Sequence, residues 1–201
     1  MLVLALAAFF LFGRDGTPGD SSPEAGFARD MAAHHAQAVD MSFIVRDKGP
    51  AKEIRTLAFD IINTQANQRG MFLGWLQQWG LDQAGDQKPM AWMSGHGHGG
   101  AATPASGAAP GAMPGMATPQ ELTRLKEAQG AQAEVLFLQL MIRHHEGGVQ
   151  MAEGLLKLST RAEVVSMAQK IVQGQSGEIK LMTELLKQRG AQPYPSILKP
   201  Q

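Results

Sequence analysis

The chain has 201 residues with 18 Lys+Arg against 18 Asp+Glu, a size that suits one domain or two small halves sharing a core. The balanced charge gives no basic surplus for nucleic acid, and the lack of cysteine excludes disulfide staples and thiolate metal sites. Low aromatic content with abundant Ala, Leu, Met and Gln favours helix, and 12 methionines and 6 histidines are left as soft and borderline metal ligands.

Residues 1–12 (MLVLALAAFFLF) are almost wholly apolar. They fall short of the ~20 residues that cross a bilayer and match the apolar region of a signal peptide. Arg14 follows the run instead of preceding it, so a short membrane anchor and a buried core helix stay open beside it. The expectation is an exported protein, periplasmic or extracellular, cleaved free or anchored through residues 1–12, with residues 1–22 forming leader and loop. Ser21 and Glu24 have the spacing of a capping box and open a first helix to about residue 47, where Lys48-Gly49-Pro50 breaks it. A second helix over about 51–79 stops at Gly80 and completes a hairpin over 23–81. Residues 82–117, rich in Gly, Ala and Pro, read as a flexible linker. Thr118 and Glu121 form a second capping-box pattern and start a short helix that ends near Gly130. Two further helices, about 131–158 and 160–189, make a second hairpin; the short helix and this hairpin occupy 118–190, and a tail covers 191–201.

An internal repeat fixes the architecture. Shifted by 110 residues, Glu24, Phe27, Met31, His34, His35, Val39 and Met41 fall on Glu134, Phe137, Met141, His144, His145, Val149 and Met151. In the following helices Ala58, Ile61, Gln65, Leu76 and Gly80 fall on Ala168, Ile171, Gln175, Leu186 and Gly190. Each half is a helical hairpin with an apolar face that it cannot bury alone. Two such faces predict one all-α domain over 23–190, a four-helix bundle with a pseudo-twofold axis.

At ~100° per residue, Glu24, Phe27, Met31, His34, His35, Ala38 and Met41 share one arc of roughly 120°. The second motif does the same. Two histidines from each of two helices therefore point into the bundle, with methionine a turn to either side. Buried imidazoles need partners, and the partner helices offer few besides Gln65, Gln175 and Glu178. A shared metal ion would engage one nitrogen of each ring, with these three residues orienting the other. Imidazole suits Zn, Cu, Fe and Ni, and thioether selects Cu(I), so Met31, Met41, Met141 and Met151 beside His34, His35, His144 and His145 point to copper, as Cu(I) or Cu(II), with zinc an alternative. The linker repeats these ligand types in His96, His98, Met93, Met113 and Met116, which with Glu134 extend the candidate set. Methionine also fills cores, and the linker histidines also read as solvated residues.

The pattern F-x3-M-x2-HH-x5-M, twice, each followed by A-x2-I-x3-Q, resembles the secreted bacterial proteins of domain of unknown function family 305, from Glu24 to Gly190. That resemblance implies a ferritin-like bundle, usually exported, with some members tied to copper binding or copper tolerance. The second half carries the family's Q-x2-E-I ending as Gln175, Glu178 and Ile179; the first departs from it with Gln68-Arg69.

The leading expectation is an extracytoplasmic copper-binding, buffering or resistance protein whose partners are metal ions and a copper-transport or efflux protein; homo-oligomerisation stays open. A ferritin-like redox enzyme is the rival, weakened because no Glu-x-x-His occurs. A metal-free structural bundle is the third. No nucleophilic triad, phosphate loop or nucleotide motif argues for another enzyme class.

Overall fold

The computed structural model describes residues 16–48, 50–94 and 113–198. Among them are five α-helices, one 3-10 turn and no strand. Helix α1 (Pro23–Arg46) starts at Ser22, whose backbone is extended and whose Oγ accepts the Ala25 N–H at 3.2 Å. The cap is thus one residue later than the Ser21 expected, and Glu24 closes no capping box. Helix α2 (Lys52–Gln78) follows a short turn. Helix α3 (Pro119–Glu127) has the capping box that its spacing predicts: Glu121 N–H donates to Thr118 Oγ1 at 3.2 Å and Thr118 N–H donates to Glu121 Oε2 at 2.8 Å. Helices α4 (Gly130–Leu156) and α5 (Ala162–Gln188) complete the chain.

The repeat survives in three dimensions. The ends of α1 and α4, and both ends of α2 and α5, fall 110 residues apart. Gly80 and Gly190 stop the second helix of each hairpin with φ of 71° and 67°, a conformation costly for residues with a Cβ. Beyond each glycine the next N–H donates back to a helix carbonyl, Leu81 to Leu76 at 2.9 Å and Ala191 to Leu186 at 3.1 Å.

The two hairpins meet along α1 and α4. Helix α4 is buried on most sides, which explains why it is the most apolar of the five. Tail residues 191–198 run beside it, with Glu146 accepting from Ser196 Oγ at 2.6 Å and Ile197 N–H at 3.0 Å. The repeated glutamates fasten each hairpin to the other. Glu134 of α4 accepts from the Ala51 N–H ahead of α2 at 2.7 Å and from Arg189 Nε at 2.6 Å. Glu24 of α1 accepts from Ser159 Oγ, which in turn accepts from the Arg161 N–H ahead of α5 at 3.2 Å. A carboxylate thus serves the N-terminal end of the opposite hairpin's second helix, where unsatisfied amides and the helix dipole favour negative charge.

The 82–117 segment is docked at both described ends. Trp92 is 7% exposed, and its Nε1–H and the Met90 N–H both donate to Asp30 at 2.8 Å. Phe27 meets the indole edge-on at 5.8 Å, and Gly26 leaves room for it, since a Cβ there would lie 2.5 Å from the ring. The Gly, Ala and Pro content of 82–117 points to a flexible linker, but Trp92 and its acceptor Asp30 on α1 dock the first described part of it.

Candidate metal centre

Apolar side chains divide into two clusters, one at each end of the bundle. One gathers Met41, Val45, Ile54, Ile61, Phe137 and Met141 with their neighbours. The other gathers Phe27, Met31, Phe72, Met151, Val164 and Ile171 with theirs. Each of the four long helices passes from one cluster to the other, and its polar residues fall between them: His34 and His35 on α1, Gln65 and Gln68 on α2, His144 and His145 on α4, Gln175 and Glu178 on α5. The bundle therefore has a polar waist with two fully buried repeat methionines in the apolar cluster on either side.

All four imidazoles are completely buried. His34 and His144, contributed by the two central helices, stack with ring centroids 3.8 Å apart and planes tilted by 33°. The His34 Nε2–H donates to the Pro114 carbonyl at 3.0 Å. The His35 Nε2–H donates to Gln68 Oε1 at 2.7 Å, and the repeat-related His145 Nε2–H donates to Glu178 Oε2 at 2.6 Å. These oxygens can only accept, so the acceptor in each case fixes the tautomer with its hydrogen on Nε2. Nδ1 of His34, His35 and His145 and both ring nitrogens of His144 are buried without a hydrogen-bond partner, as are the side-chain nitrogen and oxygen of Gln65 and Gln175. Such groups ordinarily find partners, and leaving one unmade costs on the order of 1–3 kcal/mol.

Burial also keeps three of the rings neutral. It pushes His34 down to about 4, against the help of the Pro114 carbonyl. It pushes His35 to about 3, with the neighbouring His34 charge adding to the effect. His144 is held well below the usual histidine range by burial and then by His34 and His145. At neutral pH each of these three rings keeps one nitrogen with a free lone pair, the state in which imidazole ligates a metal.

The structure brings His34, His35, His144 and His145 into this one layer, and Glu178 orients a ring there. Gln65 and Gln175 lie in the layer but bond no ring; of the three residues expected to orient rings, Glu178 does so, and Gln68, one helical turn on from Gln65, does so for His35. Glu134 is engaged by Ala51 and Arg189 at the end of the bundle, away from the histidines. Met93 is half-buried with its sulfur over Gly154, where a Cβ would approach it to 2.9 Å. Met113 packs against the Met31 cluster. The Met116 carbonyl receives Arg143 at 3.4 Å. His96 and His98 lie outside the described residues. Among the described residues no three His, Asp or Glu side chains form a ready coordination shell.

Sequence reading missed the glycines of the second motif, whose role shows only in three dimensions. A Cβ on Gly147 would lie 2.0 Å from the Pro114 carbonyl oxygen, and one on Gly148 would lie 2.2 Å from Gln175 Oε1. The first motif has Gln37 and Ala38 at these places.

The sequence profile of the family described as Domain of unknown function (DUF305) matches residues 24–186. The chain belongs to the DUF305 family. Among solved structures, a DUF305 protein of Streptomyces coelicolor, provisionally classed as secreted, is 46% identical, with a TM-score of 0.78 over 88% of this chain and 99% of its own. A DUF305 fragment from Deinococcus radiodurans is 32% identical, with a TM-score of 0.65 over 83% and 96%. CopM in its Cu(I)-bound form is 26% identical, with a TM-score of 0.60 over 83% and 96%. In its Cu(II)-bound form CopM is 27% identical, with a TM-score of 0.60 over 83% and 97%. Copper is thus bound by a protein of the same fold as this DUF305 chain. No curated protein matches the chain. Among the described residues no helix is long and apolar enough to cross a membrane.

Proposed function

We propose that this DUF305 protein is an exported copper-binding protein that takes up the ion at its imidazole waist and buffers it or hands it to a transport or efflux protein. The observation that carries this reading is the set of five buried ring nitrogens without a hydrogen-bond partner, lying between two pairs of buried methionines. A group left so is explained by a ligand that supplies the missing partner. The donor chemistry fits: imidazole accepts either copper state, and adjacent thioether favours Cu(I). Because His34 and His144 stack and no three-ligand shell stands ready, the site suits a low-coordinate soft ion better than zinc, which takes four ligands in a tetrahedron. His35 and His145 present Nδ1, with Gln68 and Glu178 holding the far side of the ring.

Export is part of the proposal. Residues 1–12 carry the apolar stretch of a secretion signal or short anchor, and the Streptomyces coelicolor relative supports that direction. The direct test is anaerobic competition titration with Cu(I), beside Cu(II) and Zn(II), on the wild type and on the variant His34→Ala/His35→Ala/His144→Ala/His145→Ala. The expected result is copper binding tighter than micromolar that the variant loses. Binding no tighter than micromolar for both copper states, or an unaffected variant, ends the proposal.

A further inference from the structure

Residues 113–117, the last of the 82–117 segment, lie directly against the imidazole layer. Their seat is built from both halves of the repeat. On α1, Gln37 clasps the backbone of Ala117 at two points: the Ala117 N–H donates to Gln37 Oε1 at 2.7 Å and Gln37 Nε2 donates to the Ala117 carbonyl at 2.9 Å. His34 donates to the Pro114 carbonyl. On α4, Gly147 stands where a Cβ would strike that same carbonyl at 2.0 Å and the Gly115 nitrogen at 2.9 Å. Gly115 has a φ of 75°, and a Cβ on it would lie 2.3 Å from the Arg143 carbonyl oxygen and 3.1 Å from the His144 Cα. Gln37 and Gly147 occupy equivalent positions of the repeat, 110 residues apart. One clasps the segment and the other makes room for it, so the two motifs differ at the position that receives it.

We propose that residues 113–117 are a detachable cover over the histidines, and that an entering soft monovalent ion reaches them when this cover lifts. The proposal rests on the waist being a metal site and names how access to it is regulated. Lifting the cover releases the Nε2–H of His34 from its carbonyl acceptor and uncovers the turn that carries His144, the two rings that stack across the hairpin interface. The cover is held by hydrogen bonds, among them the one that Arg143 donates to the Met116 carbonyl at 3.4 Å, and by the packing of Met113 and Ala117 against the two apolar clusters; none of its five residues has an ionisable side chain to form an ion pair. It opens while the bundle stays folded, as a local event of low free energy compared with global unfolding. Met113 and Met116 flank the Pro114-Gly115 turn, so the lifted segment carries two thioethers of the kind that soft ions select.

Two variants loosen the cover by unrelated means. Gln37→Ala removes the clasp, and Gly147→Ala pushes a methyl group into the seat while improving helix propensity. Two measurements are made on the full chain: hydrogen exchange of the Ala117 amide in the metal-free protein, and stopped-flow uptake of Ag(I) and, anaerobically, Cu(I). Both variants are expected to raise Ala117 exchange and to speed uptake by roughly tenfold, the effect of weakening a hydrogen-bonded contact or two, with unchanged ion stoichiometry. Faster Ala117 exchange with an unchanged uptake rate overturns the cover and leaves the metal site standing. Unchanged Ala117 exchange in both variants overturns the seat itself. A wild-type protein that takes up neither ion removes the metal site and the cover together.

Discussion

His34, His35 and His145 each use Nε2 to donate to an oxygen, and that choice decides which edge of each ring remains for an ion. On the proposed metal reading, these three rings would ligate through Nδ1. Two-bond 1H–15N correlation spectra of the metal-free protein at pH 7.5 should show three histidines as Nε2–H tautomers, with the Nδ1 signal moving on addition of Ag(I). A majority of Nδ1–H tautomers would contradict the hydrogen-bond pattern. Two of these rings, His34 and His35, make stability depend on pH. His34 and His35 bind protons near 4 and 3 when folded and near 6.5 when unfolded, so between those values the unfolded chain holds more protons. Stability of the metal-free protein should therefore fall as pH drops below 6.5, by about 1–2 kcal/mol per buried ring at pH 5. Chemical denaturation at pH 7.5 and pH 5 measures it; equal midpoints would mean that the rings are hydrated or already charged.

At the scale of elements, the repeated glutamates act between hairpins. Glu134→Ala would leave Arg189 with Glu53 as its carboxylate partner and the Ala51 N–H without its acceptor, a loss of about 1–3 kcal/mol in urea unfolding. Its copper affinity should remain that of the wild type, which separates a structural glutamate from a ligand. The sequence shows that Glu24 and Glu134 share the register of the histidines, and so that they sit on the same helical face. It does not show how far along that face the opposite hairpin's turn lies, and this distance makes them clasps. The helices themselves were legible almost throughout, because breakers such as Gly80, Gly190 and Lys48-Gly49-Pro50 mark ends in one dimension. Ser22 displaced Ser21 as the first cap because Pro23 favours the first helical position and leaves the residue before it as the cap. Trp92 and the 113–117 segment were hidden for another reason: composition describes a stretch on average, and a single indole or a pair of backbone hydrogen bonds suffices to dock it.

For the molecule as a whole, the polar waist is a cost that the proposed ion would remove. Anything bound only by the folded chain stabilises it by mass action, about 4 kcal/mol when the free ion stands a thousandfold above its dissociation constant. Saturating Ag(I) should raise the melting temperature of the wild type by several degrees and leave that of the four-histidine variant unmoved.

The exchange of carboxylates between hairpins reaches further. Ala51, at the head of α2, waits for an oxygen that lies 83 residues ahead of it in the chain, and Ser159 reaches back 135 residues to Glu24. Neither half is finished on its own, so the nascent first hairpin stays incomplete until the second has been made. The mature protein should then melt all at once, with calorimetric and van't Hoff enthalpies in agreement, despite its duplicated plan.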